Sequence, residues 1–273
     1  MAAEVFAPAK INLTLHVTGR RADGYHLLDS LVVFADTGDL LQLDPGPELA
    51  LEVSGLFAEG VPADERNLVW KAAAGAGWTG RISLDKHLPH GAGIGGGSSD
   101  AAAVLRALTR QGCGIPDELP LSLGADVPVC MAARAARMQG IGEQVAPVEL
   151  PELHALLVNS GAHVPTGPVF SELASRNNPP MPQDIPAFAS VEDCAAWLGE
   201  QRNDLEAPAI SVAPEIERVL ADLRCSRNAL LARMSGSGAT CFALYPSRKA
   251  AHFAAYEIGA EHPAWWCSAV TLT

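Results

Sequence analysis

The sequence predicts an α+β fold in two domains, and three observations carry that prediction. Apolar periods of two and of 3.6 residues succeed one another without the regular strand–helix rhythm of a doubly wound sheet. A length of 273 residues favours two cores of modest size over one. Between residues 145 and 153 the run VAPVELPEL gathers prolines and acids, which marks a boundary and sets the domains at 1–148 and 149–273.

The elements follow in order. Val5, Ala7, Ala9, Ile11, Leu13, Leu15 and Val17 alternate with their neighbours, predicting one half-buried strand over 5–17 with Pro8 near its edge. RADG, ending at Gly24, is a turn. Strands are expected at LLDSLVVFADTG, around Leu49, Leu51 and Val53, and at RISLDK, with NLVWKAAAGAG between the last two as a helix. Ala101, Val104, Leu105 and Leu108 take the spacing of one helix face. Beyond the boundary, HALLVNS reads as a strand and RNNPPMPQDIP as a loop. A helix through Ile216, Val219, Leu220 and Leu223, a strand pair around RMSGSGATCFALY, a helix at KAAHFAAYEIG and a final strand at SAVTLT complete the chain.

Composition narrows the function. With 48% apolar and 18% charged residues the chain has the makings of a packed core. A formal charge of −12 argues against nonspecific binding to nucleic acid or an anionic membrane. An anionic ligand must then be held by local groups, and of the four lysines Lys10 and Lys86 stand beside motif-like segments. Six scattered cysteines without C-x-x-C or zinc spacing read as buried thiols. The start, MAAEVFAPAKIN, has no signal-peptide pattern, and no run of eighteen apolar residues occurs, so a cytoplasmic setting is expected.

The segment LPHGAGIGGGSSDAAAVLRAL sets Gly91, Gly93, Gly95, Gly96 and Gly97 ahead of two serines and a helix. Glycines expose backbone amides and admit a ligand, and a helix start favours negative charge, so this is a phosphate site. Ser98 or Ser99 is expected to cap the helix, leaving the other hydroxyl for a phosphate oxygen or a metal. The string also fits G-x-G-x-x-G, but Pro89 interrupts the approach and the acids some twenty residues on lie in the loop GIPDELP, against a dinucleotide fold. Gly91-x4-Gly96 opens like a Walker loop and then lacks its lysine.

These residues resemble a family. LPHGAGIGGGSSDAAA is similar to the second motif of the GHMP kinases, and RMSGSGATCFALY to their third, a glycine turn beside the phosphate loop. The opening PAKINLTLHVTGRRADGYHLLDS, with LGADVPVC, VPTGPVF and RNDLE, resembles the members that act on a cytidine-diphosphate-linked methylerythritol in the non-mevalonate isoprenoid route. The likeness runs in order through nearly the whole chain. It implies ATP-dependent phosphorylation of the 2-hydroxyl, with an amino-terminal domain like the second domain of ribosomal protein S5 and a ferredoxin-like carboxy-terminal domain. ATP is then the co-substrate, Mg²⁺ is expected with it, and the partners are small molecules, with the chain a monomer or weak homodimer.

The resemblance also implies roles for residues. Asp126 is the catalytic aspartate and Lys10 the lysine that holds it or the reacting oxygen. Gly93, Gly95, Gly96, Gly97, Ser98 and Ser99 take the ATP phosphates, with Lys86 and Asn67 near the nucleoside. Asn12 reaches the methylerythritol hydroxyls, His26 the cytosine edge, Tyr25 and Phe170 its two faces, and Thr166 the same pocket. Read without the family, Lys10 is an outward strand residue and Asp126 a turn former, while Lys86 is either a cation for the loop or a solvated strand end. Ser160 and Val32 depart from the pattern, where a proline and an aromatic are expected. A mevalonate- or homoserine-type kinase of the same family, and a nucleotide-binding regulatory module without turnover, are the alternatives.

Overall fold

The computed structural model describes residues 3–273. The chain begins with strands β1 (Ala3–Asn12), β2 (His16–Arg20), β3 (His26–Pro45) and β4 (Ala50–Ser54), then helix α1 (Leu68–Gly75) and strand β5 (Gly80–Asp85). After the glycine loop come α2 (Gly96–Arg110), the short α3 (Leu119–Leu123) and α4 (Val127–Ala132), and strands β6 (Ala136–Gly140), β7 (Gln144–Pro147) and β8 (Leu153–Asn159). The remainder holds α5 (Thr166–Ser171), α6 (Val191–Gly199), α7 (Glu206–Val212), α8 (Glu215–Cys225), β9 (Leu231–Met234), β10 (Cys241–Tyr245), α9 (Arg248–Glu261) and β11 (Trp266–Leu272).

These elements make two compact units, neither of them one continuous stretch. The first takes the segment ending at Lys10, Thr37–His90 and Gly95–Ala133; the second takes Ile11–Asp36, Gly91–Ile94 and Arg134–Thr273.

In the first unit the end of β3 pairs antiparallel with β5, from Leu40 opposite Asp85 to Pro45 opposite Gly80, and β4 lies parallel to β5. Alternation turns Leu41, Leu43, Leu51, Ile82 and Leu84 inward. Helix α2 is buried well beyond its predicted stripe: Ala101, Ala102, Ala103, Val104, Leu105, Ala107 and Leu108 are all inside. The alanines allow this, because α1 and α4 both pack on α2 and small side chains let helix axes approach. Each buried branched side chain here contributes roughly 1.5–3 kcal/mol.

In the second unit β8 is central, flanked by antiparallel β11 and β10, and Leu153 and Ala155–Val158 are buried on both faces. Ile216, Val219, Leu220 and Leu223 of α8 and Ala251, Ala254 and Ile258 of α9 join the same core, matching the predicted apolar stripe. β6 pairs with the first half of β3 and with β7.

Three sequence expectations are corrected. The single strand over 5–17 is two, because Leu13 and Thr14 donate to Leu31 O and Leu15 donates to Arg202 O, which turns the chain between β1 and β2. Nor is it half-buried: residues 7–17 are inside on both faces, Lys10 and Asn12 included. The thiols are not all buried either. Cys130, Cys194 and Cys241 are, but Cys225 is exposed and Cys113 and Cys267 are half-buried. RNNPPMPQDIP is a loop as expected, yet a pinned one: Arg137 grips Asp29 through two bonds of 2.8 and 2.7 Å and also donates to the carbonyls of Met181, Pro182 and Gln183. Among the described residues no helix is long and apolar enough to cross a membrane.

Candidate active site

The glycine loop enters α2 through Gly95, whose φ of 63° is the left-handed conformation that glycine alone adopts freely. No side chain caps this helix, so the expected serine cap is corrected. Ser99 is instead buried, its hydroxyl donating to Pro8 O at 2.7 Å, which ties α2 to β1. The Ser98 hydroxyl has no hydrogen bond among the described residues and is the free one. The first backbone bond in this turn is Ser99 N–H to Gly95 O, 2.8 Å, so the amides of Gly96, Gly97 and Ser98 are left without helical acceptors. They form an anion-binding end.

Glycine at 95 has a second reason. A Cβ there would stand 3.2 Å from the Cβ and Cε of Lys10, so the loop lies directly on that lysine. Lys10 is buried, not outward, and its ammonium is 2.9 Å from Oδ2 of Asp126. Asp126 precedes α4 and makes no cap bond there; its side chain stays 31% exposed against 4% for Lys10. The carboxylate is therefore oriented by a buried cation while remaining open to a ligand.

Lys86 is not solvated. Its ammonium lies between Asp39 and Asp100, with side-chain exposures of 4%, 0% and 3%. Burial works against its charge, but Asp100 and Asp39 outweigh that and hold its pKa above the usual value. Two of its donors are engaged by carboxylates beneath the loop, so the reading as a solvated strand end is corrected. Asn67 also spends its side chain at home, capping α1 through Val69 N–H at 2.9 Å and donating to Pro62 O at 2.7 Å.

The second unit carries the residues expected to read the acceptor. Asn12 donates from Nδ2 to Ser30 Oγ at 2.7 Å, and its backbone N–H donates to Ser235 Oγ at 3.1 Å. Its Oδ1 is buried without a partner, an acceptor that a ligand hydroxyl can satisfy. Ser235 donates in turn to Gly93 O at 3.0 Å. Gly93 has φ 72°, and a Cβ on it would come within 2.6 Å of Ser235 O. The turn of the third motif thus packs on the first part of the glycine loop, and Asn203 secures that turn by donating to the carbonyls of Met234 and Gly236.

His26 and Phe170 come together as a stacked pair with centroids 4.5 Å apart and planes 21° apart. Burial, then Arg20 and Arg176, lower the His26 pKa and favour the neutral ring; its Nε2 is buried and unpartnered. Tyr25 is 59% exposed and makes no ring contact with them. The Thr166 hydroxyl is 3.0 Å from that of Ser237. Asp39, Asp100, Ser30, Ser235 and Asn203 were not singled out from the sequence. Asp100, Ser30, Ser235 and Asn203 lie inside the motifs GGGSSDAAA, GYHLLDS, SGSG and RND, and Asp39 lies outside all of them.

Known proteins similar to this chain define its family. Residues 67–146 match the GHMP kinases N terminal domain and residues 184–264 match GHMP kinases C terminal; the chain belongs to the GHMP kinases. Within that family it is similar to 4-diphosphocytidyl-2-C-methyl-D-erythritol kinase of Dinoroseobacter shibae, 57% identical over 98% of this chain and 94% of the relative. The protein of that name from Paracoccus denitrificans is 55% identical over 97% and 95%. A crystal structure of 4-(cytidine 5'-diphospho)-2C-methyl-D-erythritol kinase superposes with a TM-score of 0.82 at 35% identity, covering 99% of both chains. Mevalonate kinase of L. major, at 17% identity and a TM-score of 0.65, shares the fold.

Proposed function

We propose that this chain transfers the γ-phosphoryl group of ATP to the 2-hydroxyl of 4-diphosphocytidyl-2-C-methyl-D-erythritol, giving the 2-phosphate and ADP. The observation that carries the reading is the open amide end of α2 lying on Lys10, whose ammonium holds the exposed carboxylate of Asp126. Relatives of that name, alike over nearly the full length, support the choice of substrate.

Phosphoryl transfer asks chiefly for positioning and for neutralised charge. The amides of Gly96, Gly97 and Ser98 hold the ATP phosphates, with Gly93 and Gly95 shaping the approach. Asp126 accepts the proton of the attacking hydroxyl or orients that hydroxyl. Lys10 keeps the carboxylate in place and offsets charge developing at the reacting oxygen. Asn12 receives a hydroxyl of the methylerythritol moiety at its unpartnered Oδ1. His26, Phe170, Tyr25 and Thr166 receive the cytidine end: the neutral imidazole offers Nε2 to the base edge, and a base can stack on the aromatic pair.

Mg²⁺ would arrive with ATP. The free hydroxyl of Ser98 is the protein oxygen suited to it, and the ion would neutralise phosphate charge. We further assign the boundary between the two family domains to about residue 148, between the matched stretches 67–146 and 184–264 and distinct from the division into compact units, with a cytoplasmic location and a monomer or weak homodimer as the working form.

The test is ADP release by purified protein given ATP with the cytidine-diphospho substrate, mevalonate or homoserine. Turnover is expected with the first alone. Turnover with either of the others would move the chain to the mevalonate or homoserine type, and none with any would favour a nonenzymatic nucleotide module.

A further inference from the structure

We propose that Asp39, Lys86 and Asp100 are positioning residues of the phosphate loop, and that Asp100 performs this role as the neutral acid. The inference rests on the nucleotide reading of the loop given above.

Three separate segments meet at one ammonium. Asp39 comes from β3, Lys86 from the end of β5 and Asp100 from the second turn of α2. Asp39 also accepts the backbone N–H groups of His87 and Leu88, at 2.6 and 2.9 Å, where the loop begins. The cluster therefore fixes both ends of the glycine loop to the sheet. It lies immediately beneath the anion-binding end: a Cβ on Gly96 would be 3.5 Å from Lys86 Nζ and 3.7 Å from Asp39 Oδ2.

The charges do not balance if all three groups ionise, since one ammonium faces two carboxylates in a site sealed from water. Asp39 has donors for both oxygens and is the ionised partner. Asp100 has one, Lys86 at 2.8 Å, and its Oδ1 is buried with none. A proton on Asp100 removes the surplus charge, and Asp39 is within hydrogen-bonding reach to accept it. Burial, tempered by Lys86 and reinforced by Asp39, pushes the Asp100 pKa up to about 8. Among the described residues the other charged pair at this end of the loop is Lys10 with Asp126, which lies against Gly95 and is neutral as a pair. Cys130 of α4 is a buried thiol whose pKa burial raises, Lys71 of α1 points to solvent, and Arg106 of α2 is engaged by Cys130 O and Phe6 O. The exposed pair His87–Asp85 lies outside the cluster.

The consequence concerns phosphate binding. With Asp100 neutral the cluster carries no net charge under the amides; with Asp100 ionised it carries one negative charge a few ångströms from where phosphates sit, which weakens their binding.

The experiment is calorimetric titration with Mg²⁺ and a nonhydrolysable ATP analogue from pH 6.5 to 9.5, with thermal unfolding over the same range. It uses the wild type, Asp100→Asn and Lys86→Met. Wild-type affinity is expected to fall about tenfold as pH rises through the Asp100 titration. Asp100→Asn, a neutral isostere, holds the neutral-pH affinity and loses its alkaline decline. Lys86→Met binds about tenfold or more weakly at every pH. Parallel pH profiles for wild type and Asp100→Asn would overturn the neutral acid, and undiminished affinity in Lys86→Met would overturn the positioning role. If Lys86→Met fails to fold, Lys86→Gln takes its place with the same expectation. If the wild type binds no analogue at any pH, the nucleotide reading fails with the positioning role, while the unfolding profiles still decide the proton on Asp100.

Discussion

The buried ammonium of Lys10 is 2.9 Å from the half-open carboxylate of Asp126, joining residues 116 positions apart in sequence. Neither side chain has another hydrogen-bond partner among the described residues, so each orients the other. Asp126→Asn keeps the shape and removes the base, and turnover should fall on the order of 10²–10⁴-fold with little change in ATP affinity. Lys10→Ala should fall comparably. Both variants should unfold cooperatively, as circular dichroism would verify; wild-type turnover in either would remove that residue from the mechanism.

The orphan Oδ1 of Asn12 makes a separate prediction. Asn12→Leu removes the acceptor proposed for a ligand hydroxyl, at a cost of about 1–3 kcal/mol, or roughly 10- to 100-fold. The loss should appear in the KM of the alcohol substrate while the KM of ATP stays within about twofold. An equal rise in both constants would assign Asn12 to general scaffolding.

Much of this was legible in the sequence, and the remainder was hidden for one physical reason. Periodicity located α2, α8 and β8 because each has an apolar set that its own spacing displays. The glycine–serine run announced a helix start with open amides for the same local reason. Lys10 was misjudged as outward because strand alternation says nothing about what covers the other face, here α2 through Ser99 and Pro8. The pairing of Asp39 and Asp100 left no signal, although Asp100 stands in the glycine motif: they lie 61 positions apart, and only the fold brings them to Lys86. Ser98 and Ser99 were read as rival caps, whereas Gly95 starts the helix from a left-handed conformation that needs no cap side chain.

Two glycines of the loop should separate fold from ligand. At Gly95, φ of 63° and the 3.2 Å approach to Lys10 make alanine costly, by about 1–2 kcal/mol of stability, and turnover should drop as Lys10 shifts. At Gly97 the backbone is helical and a Cβ would meet only Leu68 Cδ1 at 3.8 Å. Gly97→Ala should therefore leave the unfolding temperature unchanged and raise the KM of ATP, because the added methyl stands where a phosphate approaches. A normal KM in Gly97→Ala would move the phosphates off this end of the helix.

The clasp between Asp29 and Arg137 governs the loop at 176–186. Asp29 Oδ2 also accepts Met181 N–H at 3.0 Å, and Met181 is 2% exposed. Arg137→Ala strands a buried carboxylate, with an expected loss of about 3–5 kcal/mol, equivalent to roughly 6–20 °C in Tm for a chain of this size. Limited proteolysis should then cut within RNNPPMPQDIP before any other site. An unchanged cleavage pattern would mean that the loop is held by its prolines and Met181 alone.

His16 sets an acid limit on stability. It is 1% exposed, and its Nε2 accepts the Arg202 N–H at 3.2 Å, so its proton sits on Nδ1, which faces Pro179 O at 3.2 Å. Burial and then Arg202 hold its pKa below the ordinary 6.5, against smaller opposing effects from Pro179 O, Asp204 and Asp29. The folded state consequently binds fewer protons than the unfolded state below pH 6.5. The stabilisation is whole above that value and is lost as pH falls through the folded pKa. Protonation would also set a second N–H against the Arg202 amide, releasing the segment around Pro179 from the RND turn. Tm should decline as the buffer is taken from about pH 7 to 5, with hydrogen exchange at Arg202 rising first. His16→Gln, less stable at neutral pH, should show a shallower decline; a slope as steep as the wild type's would place the acid sensitivity elsewhere.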